Sequence, residues 1–147
     1  MQVADLDRIM EIERASFGRD AYDRNLFAEY THKCGELFLV AERGRKVWGY
    51  ALTCLAARRR GGVSGKQAEL ISVAVDPAAR GTGAARALMD STLPRLRWRE
   101  VSRMGLMVKV TNARARAFYE RYGFKKIRIV RAYYEDGQDG WLMAKHL

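Results

Sequence analysis

Residues 68–90 read AELISVAVDPAARGTGAARALMD, and the fold turns on this stretch. Both alternation sets of its opening, Leu70/Ser72/Ala74 and Ile71/Val73/Val75, are mostly apolar, as in a strand covered on both faces. Asp76-Pro77 closes the strand. Arg80-Gly81-Thr82-Gly83 follows, and a helix is expected from near Gly83 through Ala87, Leu88 and Met89. Glycines at 81 and 83 let the backbone turn tightly and approach a ligand. The first amides of a helix lack intrahelical partners, so they can receive an anion. Arg80 and Arg86 add positive charge, which makes a diphosphate the natural guest. A plain strand-to-helix turn with two glycines is the competing reading. The dinucleotide fingerprint needs a third glycine where Arg86 stands. The P-loop signature needs Gly-Lys-Ser/Thr, which is absent.

Around this stretch the hydrophobic period alternates. Residues 4–15 place Leu6, Ile9, Met10 and Ile12 at helical spacing, with Asp5 as the expected N-cap. A second helix is expected from Asp23 to His32. Strands follow at Leu37–Ala41 and Val47–Leu55, joined by a turn at residues 42–45, with a loop over 57–66. Pro94 is expected to kink or end the helix after the glycine loop. A strand over about 101–110 leads to a helix from Asn112 to Tyr122, stopped by Gly123. Two last strands, about 124–132 and 140–146, flank the turn at 135–139. This order indicates an α/β fold with a mixed sheet.

At 147 residues the chain is expected to be one domain spanning 1–147. Its 48% hydrophobic and 30% charged residues suit a soluble protein. No apolar run approaches the ~20 residues of a membrane span, and no signal-peptide layout opens the chain. The expected location is the cytoplasm, with no membrane partner. Cys34 and Cys54 fit no metal or redox spacing, and the compartment rule makes them buried thiols. His32 and His146 stand apart, so no metal site is expected. The net charge of +10 permits a polyanionic partner. Arg58-Arg59-Arg60-Gly61-Gly62 lacks interleaved aromatics, so it reads as a flexible loop and no specific nucleic acid is expected.

The stretch AVDPAARGTGAARALMD resembles the coenzyme A signature of the GNAT superfamily of N-acetyltransferases, usually Gln/Arg-x-x-Gly-x-Gly/Ala. Gly81 and Gly83 match it, and Ala78 departs from its first position. A second resemblance lies in Asn112, Ala115, Tyr119, Gly123 and Phe124, which match N-x-x-A-x-x-x-Y-x-x-x-G-F. On a helix Asn112 and Tyr119 share a face about 10 Å apart. The resemblance implies the GNAT fold: a twisted, mostly antiparallel mixed sheet with splayed central strands and about four helices. It implies acetyl-CoA as co-substrate, with no metal. The amides of Arg80, Gly81, Thr82, Gly83, Ala84 and Ala85 would hold its pyrophosphate. Backbone of Val73 and Val75 would line the pantetheine and acetyl group, an N–H near Val75 would polarise the thioester carbonyl, Asn112 would sit near the arm, and Tyr119 would protonate the leaving thiolate. Only Met1-Gln2-Val3 stand where the family's first strand belongs, so that strand is expected to be vestigial or missing.

The segment Arg131–Met143 resembles the closing hairpin of the RimI-type protein N-terminal acetyltransferases, as does Ile12-Glu13-Arg14-Ala15-Ser16-Phe17. That likeness implies direct transfer to a protein's N-terminal amine, a ribosomal protein's among the candidates, with Tyr133 and Tyr134 lining the slot for its first residues. A small-molecule amine acetyltransferase and a catalytically weak CoA-binding module are the alternatives. The oligomeric expectation is a monomer or weak homodimer. Relatives commonly carry Glu or His where Met107 stands, and methionine cannot accept a proton. Glu69 is the first candidate for a base, followed by Asp20 and a water relayed from Tyr133 or Tyr134.

Overall fold

The computed structural model describes residues 1–56 and 65–147, so the Arg58–Gly62 block lies outside the described residues. Two helices, α1 (Leu6–Phe17) and α2 (Arg24–Cys34), precede the strands β1 (Phe38–Arg43), β2 (Lys46–Leu55) and β3 (Lys66–Val75). Then come α3 (Ala84–Trp98), β4 (Val101–Lys109), α4 (Ala113–Arg121), β5 (Lys125–Val130) and β6 (Gly140–His146). The strands form one sheet in the order β1-β2-β3-β4-β6-β5. Only β3 and β4 run parallel; every other neighbouring pair is antiparallel. No strand precedes α1 among the described residues: Val3–Asp5 is a short 3-10 turn.

Helices cover both faces of the sheet. On one, Leu6, Ile9, Met10 and Ile12 of α1 and Phe27 of α2 pack with Phe38, Tyr50 and Leu52. On the other, Leu88, Leu93 and Leu96 of α3 and Tyr119 of α4 pack with Leu70, Met104 and Leu106. Burying each of these side chains fully stabilises the fold by about 1.5–3 kcal/mol before entropy is counted.

Several local expectations are corrected. Asp5 does not cap α1 through its side chain; its carboxylate accepts from the Gln2 N–H at 2.8 Å, one turn upstream. Asp23 does cap α2, accepting from the Leu26 N–H at 2.8 Å. Pro94 does not end α3, which continues to Trp98. Proline removes one backbone donor, while buried Leu93 and Leu96 hold the turns around it against the sheet. Cys34 and Cys54 are not thiols but a disulfide, with Cα atoms 4.7 Å apart. The reading by compartment had no access to how α2 ends: it stops directly over the last residues of β2.

The alternation sets of β3 also need correcting. Leu52 pairs with Ser72 and Thr53 with Leu70, which leaves Ile71 as one extra residue, a β-bulge. Alternation therefore reverses there. Ala68, Leu70 and Val73 face α3 and α4. Ile71 and Ala74 face α1 and α2, and Ser72 bonds to Glu13 of α1.

The bulge sits where parallel pairing stops. β3 pairs with β4 from Lys66↔Val101 to Leu70↔Leu106 and no further. Yet β3 runs on to Val75 beside β2, and β4 runs on to Lys109 beside β6. Each strand keeps its outer neighbour and loses its inner one. The central strands thus splay, as the resemblance implied.

The disulfide closes a loop across a sequence separation of 20 residues. Reduction, verified by thiol titration, is expected to lower stability in denaturant melts by about 3 kcal/mol.

Candidate functional site

Two clefts open into the splay. The larger, of about 790 Å³, runs between the Val73–Val75 edge, the loop and first turn at 79–86, and α4. The smaller, of about 290 Å³, lies on the α1/α2 side, between the segment after α1 and the β5–β6 connection. They share Ser16, Phe17, Val73, Asn112, Ala115 and Tyr119, so they meet at one junction.

Asp76 builds the loop of the larger cleft. It accepts from the Ala78 N–H at 2.8 Å and pairs with Arg8, and these contacts hold its carboxyl below the usual carboxylate range. Arg8 also donates to the Val47 carbonyl at 2.9 Å, tying α1, β2 and the loop together. Gly81 and Gly83 have φ of 80° and 87°. Among the described residues, chain neighbours aside, nothing lies within 4 Å of a Cβ added at either. Backbone conformation is therefore what demands glycine inside the protein, and the space beyond each is open to a ligand. Arg80, Gly81, Gly83, Ala84 and Ala85 line this cleft, together with Val73 and Val75. Thr82 does not. Its N–H and hydroxyl both donate to the Ala79 carbonyl, at 3.3 and 2.5 Å, and it lines a separate cavity beside Trp48.

Arg80, Arg86, Arg114 and Arg121 border the larger cleft, and none is ion-paired to a carboxylate among the described residues. Sequence reasoning missed Arg114 and Arg121. Their seven-residue spacing on α4, the same as from Asn112 to Tyr119, was the signal available. The Tyr122 hydroxyl fixes α4 against α3 by donating to Asp90 at 2.9 Å.

At the junction Asn112 caps α4, its side-chain oxygen accepting from the Ala115 N–H at 3.1 Å. That leaves its amide NH₂ as the group free to donate. Tyr119 is buried between Phe118 and Phe124. Burial, with a smaller contribution from Tyr134, pushes its phenol above the ordinary tyrosine range, so it keeps its proton at neutral pH.

In the smaller cleft Tyr133 and Tyr134 meet edge to face, 5.0 Å between centroids. Burial pushes the Tyr134 phenol up to about 12. Lys109, at the end of β4, pairs with Asp20 and, at 2.9 Å, with Asp136, and sits 5.1 Å from the Tyr134 ring. Asp20 comes from the segment after α1 and Asp136 from the β5–β6 connection, so one ammonium clasps both walls. That pairing engages the Asp20 carboxylate with Lys109. Glu69 is exposed on the cleft's rim, opposite Cys54 and Gly105 in the sheet.

Sequence reasoning did not single out Glu13, which lines the same cleft yet is 1% exposed. It falls seven residues after Leu6, on the apolar stripe of α1, where a carboxylate is out of place. Burial raises its carboxyl to about 7, against the lowering effect of hydrogen bonds from Tyr22 and Ser72.

Among the described residues no cluster of His, Cys, Asp and Glu is arranged to hold a metal ion, and no helix is long and apolar enough to cross a membrane.

The model of the acetyltransferase (GNAT) family matches residues 6–124. An N-acetyltransferase of Methanocaldococcus jannaschii is 34% identical over 143 residues, covering 96% of this chain and 85% of the relative. An N-alpha-acetyltransferase of Saccharolobus solfataricus is 30% identical, covering 97% of this chain and 88% of the relative. The crystal structure of the ribosomal-protein-S18-alanine N-acetyltransferase from Escherichia coli superposes with a TM-score of 0.82 at 29% identity, covering 99% of this chain and 90% of that one.

Glu13 gives stability a pH dependence. Its folded carboxyl titrates near 7, against an ordinary value of 4.5. Below the ordinary value both states are protonated and the contribution is fully present. As pH rises toward and through 7 the unfolded state ionises first, and the contribution is lost. Denaturant melts of the wild type are expected to show falling stability over this window, and Glu13→Gln is expected to flatten it.

Proposed function

The chain belongs to the acetyltransferase (GNAT) family, and on that premise we propose that its acceptor is the α-amino group at the N-terminus of a protein, with ribosomal proteins among the candidates. It is an acetyl-CoA-dependent N-acetyltransferase. One observation carries the reading of the site: two clefts of opposite character meet at Tyr119 and Val73, in the gap between splayed strands. The larger has a cationic rim and a helix N-terminus, suited to a phosphorylated thioester. The smaller carries Glu13, Asp20 and Glu69 against Lys109. Its local charge is negative on a chain whose net charge is +10, which suits a cationic amine. The N-alpha-acetyltransferase of S. solfataricus and the E. coli enzyme support an α-amino acceptor by their names.

In this reading the amides of Gly81, Gly83, Ala84 and Ala85 receive the pyrophosphate, Arg80 adds charge beside it, and Thr82 serves through the loop's shape. Val73 and Val75 present backbone to the pantetheine arm in place of a strand, and the Asn112 amide donates to it. The acceptor enters past Tyr133 and Tyr134, drawn by Glu69 on the rim. Its free amine attacks the thioester carbonyl, the C–S bond breaks, and Tyr119 gives its proton to the departing thiolate. The acetyl group passes directly, without a covalent enzyme intermediate. The chain acts as a single catalytic domain, a monomer or weak homodimer.

Incubation with acetyl-CoA and a library of N-terminal peptides, followed by mass spectrometry, tests the acceptor. Acetylated α-amines are expected; acetylation confined to polyamines or other small amines would replace the reading. Tyr119→Phe is expected to lower kcat by about 100-fold with acetyl-CoA affinity unchanged. Ala85→Trp is expected to weaken acetyl-CoA binding by about tenfold or more in calorimetry, by filling the turn that receives the phosphates.

A further inference from the structure

Three groups from three segments converge on the Glu13 carboxylate. The Tyr22 N–H donates to Oε1 at 3.1 Å. The Tyr50 hydroxyl donates to Oε2, and the Ser72 hydroxyl reaches the same oxygen at 3.3 Å. Tyr50 and Ser72 are themselves 3.0 Å apart, closing a triangle. No Lys or Arg pairs with Glu13 among the described residues. A buried carboxylate is stabilised chiefly by a cation or by donated hydrogen bonds. Here only neutral donors are supplied, which leaves the group able to exist in either protonation state. Glu13 and Ser72 both line the acceptor cleft. Ser72 follows the bulged Ile71, so the residue that breaks the pairing also turns Ser72 toward α1.

The other proton acceptors on this cleft are less well placed. Asp20 is held by Lys109. Glu69 lies exposed on the rim. Met107 faces the cleft from β4 and cannot take a proton.

We propose that Glu13 is the base that deprotonates the acceptor's ammonium, with Ser72 and Tyr50 orienting its carboxylate and Glu69 confined to drawing the cation in. This rests on the acetyl-transfer reading above. In the first step one N–H bond of the ammonium breaks and an O–H bond forms on Glu13, leaving a neutral amine and a neutral carboxyl. The amine's lone pair then forms the C–N bond as the C–S bond breaks. The thiolate takes the Tyr119 proton, the surplus amide proton restores the Tyr119 phenol, and the Glu13 proton leaves through the cleft, so one proton is released per turnover.

The match of acidities supports the assignment. An ordinary carboxylate near 4.3 is a poor acceptor from an α-ammonium near 8. Burial brings Glu13 to about 7, where the transfer runs nearly level. Around it stand Tyr50 from β2, Tyr22 from the segment after α1, Glu69 from β3, and Asp20, Lys109 and Tyr133 along the cleft.

The bland alternative is that Glu13 only bolts α1 to β2 and β3, and the pH profile separates the two. For the wild type, kcat/KM is expected to rise along a limb with its midpoint near 7. Glu13→Gln is expected to lose that limb, to be about 100-fold slower at neutral pH, and to approach wild-type rates near pH 9.5, where the amine is already free. An equal loss at both pH values overturns the proposal. Glu69→Gln is expected to raise the acceptor KM and keep the limb; its losing the limb also overturns the proposal. Should Glu13→Gln not fold, Tyr50→Phe removes a bond to the charged form and is expected to move the midpoint upward, and an unmoved midpoint overturns the proposal. The pH comparison is run with an N-terminal peptide; spermidine, whose amines stay largely protonated at pH 9.5, is run for the limb alone. Failure on the peptide alone then counts against the acceptor class, while the limb measured with the reacting amine judges Glu13. Carbon-13 NMR of labelled glutamate carboxyls supplies a readout without turnover: a titration near 7 that vanishes in the variant is expected, and its absence from the wild type overturns the proposal.

Discussion

Loss of hydrogen bonding between β3 and β4 beyond Leu70 and Leu106 is the constraint on which this molecule depends. Backbone donors and acceptors left without partners in an interior are unfavourable, so such a gap persists only where water or a ligand can enter. The gap is stable because each strand is held from outside: β3 by β2 up to Gly49↔Val75, and β4 by β6 up to Lys109↔Gly140. Its two edges are therefore rigid while the space between them is open. An extended ligand with amide groups of its own is the natural filler. The Ile71 bulge supports the opening by reversing which side chains face each helical layer, so that Val73 points toward α4 while Ser72 points toward α1.

Much of this was legible in the sequence where local chemistry decides it. Gly81 and Gly83 marked the loop because only glycine adopts positive φ without strain. Asn112 and Gly123 bracketed α4 by capping preference, and the order of apolar periods gave the helices and strands within a few residues. Pairing between distant segments was not legible. A bulge at Ile71 is invisible in a run where every residue is apolar or small, because both faces accept either set. The Cys34–Cys54 bond depends on where α2 ends over β2, and no spacing rule encodes that. Lys109 lies within a strand with nothing local to distinguish it; its clasp exists only because the segment after α1 and the β5–β6 connection converge on the same strand end. Glu13 was readable in principle as a carboxylate on an apolar stripe, but its partners Tyr50 and Ser72 lie 37 and 59 residues away, on β2 and β3.

Charge is sorted as carefully as shape. The larger cleft collects Arg80, Arg86, Arg114 and Arg121, while the smaller collects three carboxylates against one lysine. A polyanionic thioester and a cationic amine can then occupy the two clefts together without pairing with each other, each attracted by walls of the opposite sign. Where the clefts meet, the walls carry no formal charge: Val73, Ala115, Ser16, Phe17, Asn112 and Tyr119 are all neutral. A neutral, poorly hydrated meeting point favours a neutral amine over an ammonium. The same scarcity of water raises both Tyr119 and Glu13 above their ordinary values, in each case chiefly through burial. For a phenol that shift preserves a proton to give; for a carboxylate it creates the capacity to receive one near neutral pH. A single cause, withdrawal of solvent from the gap, thus equips one group as donor and the other as acceptor.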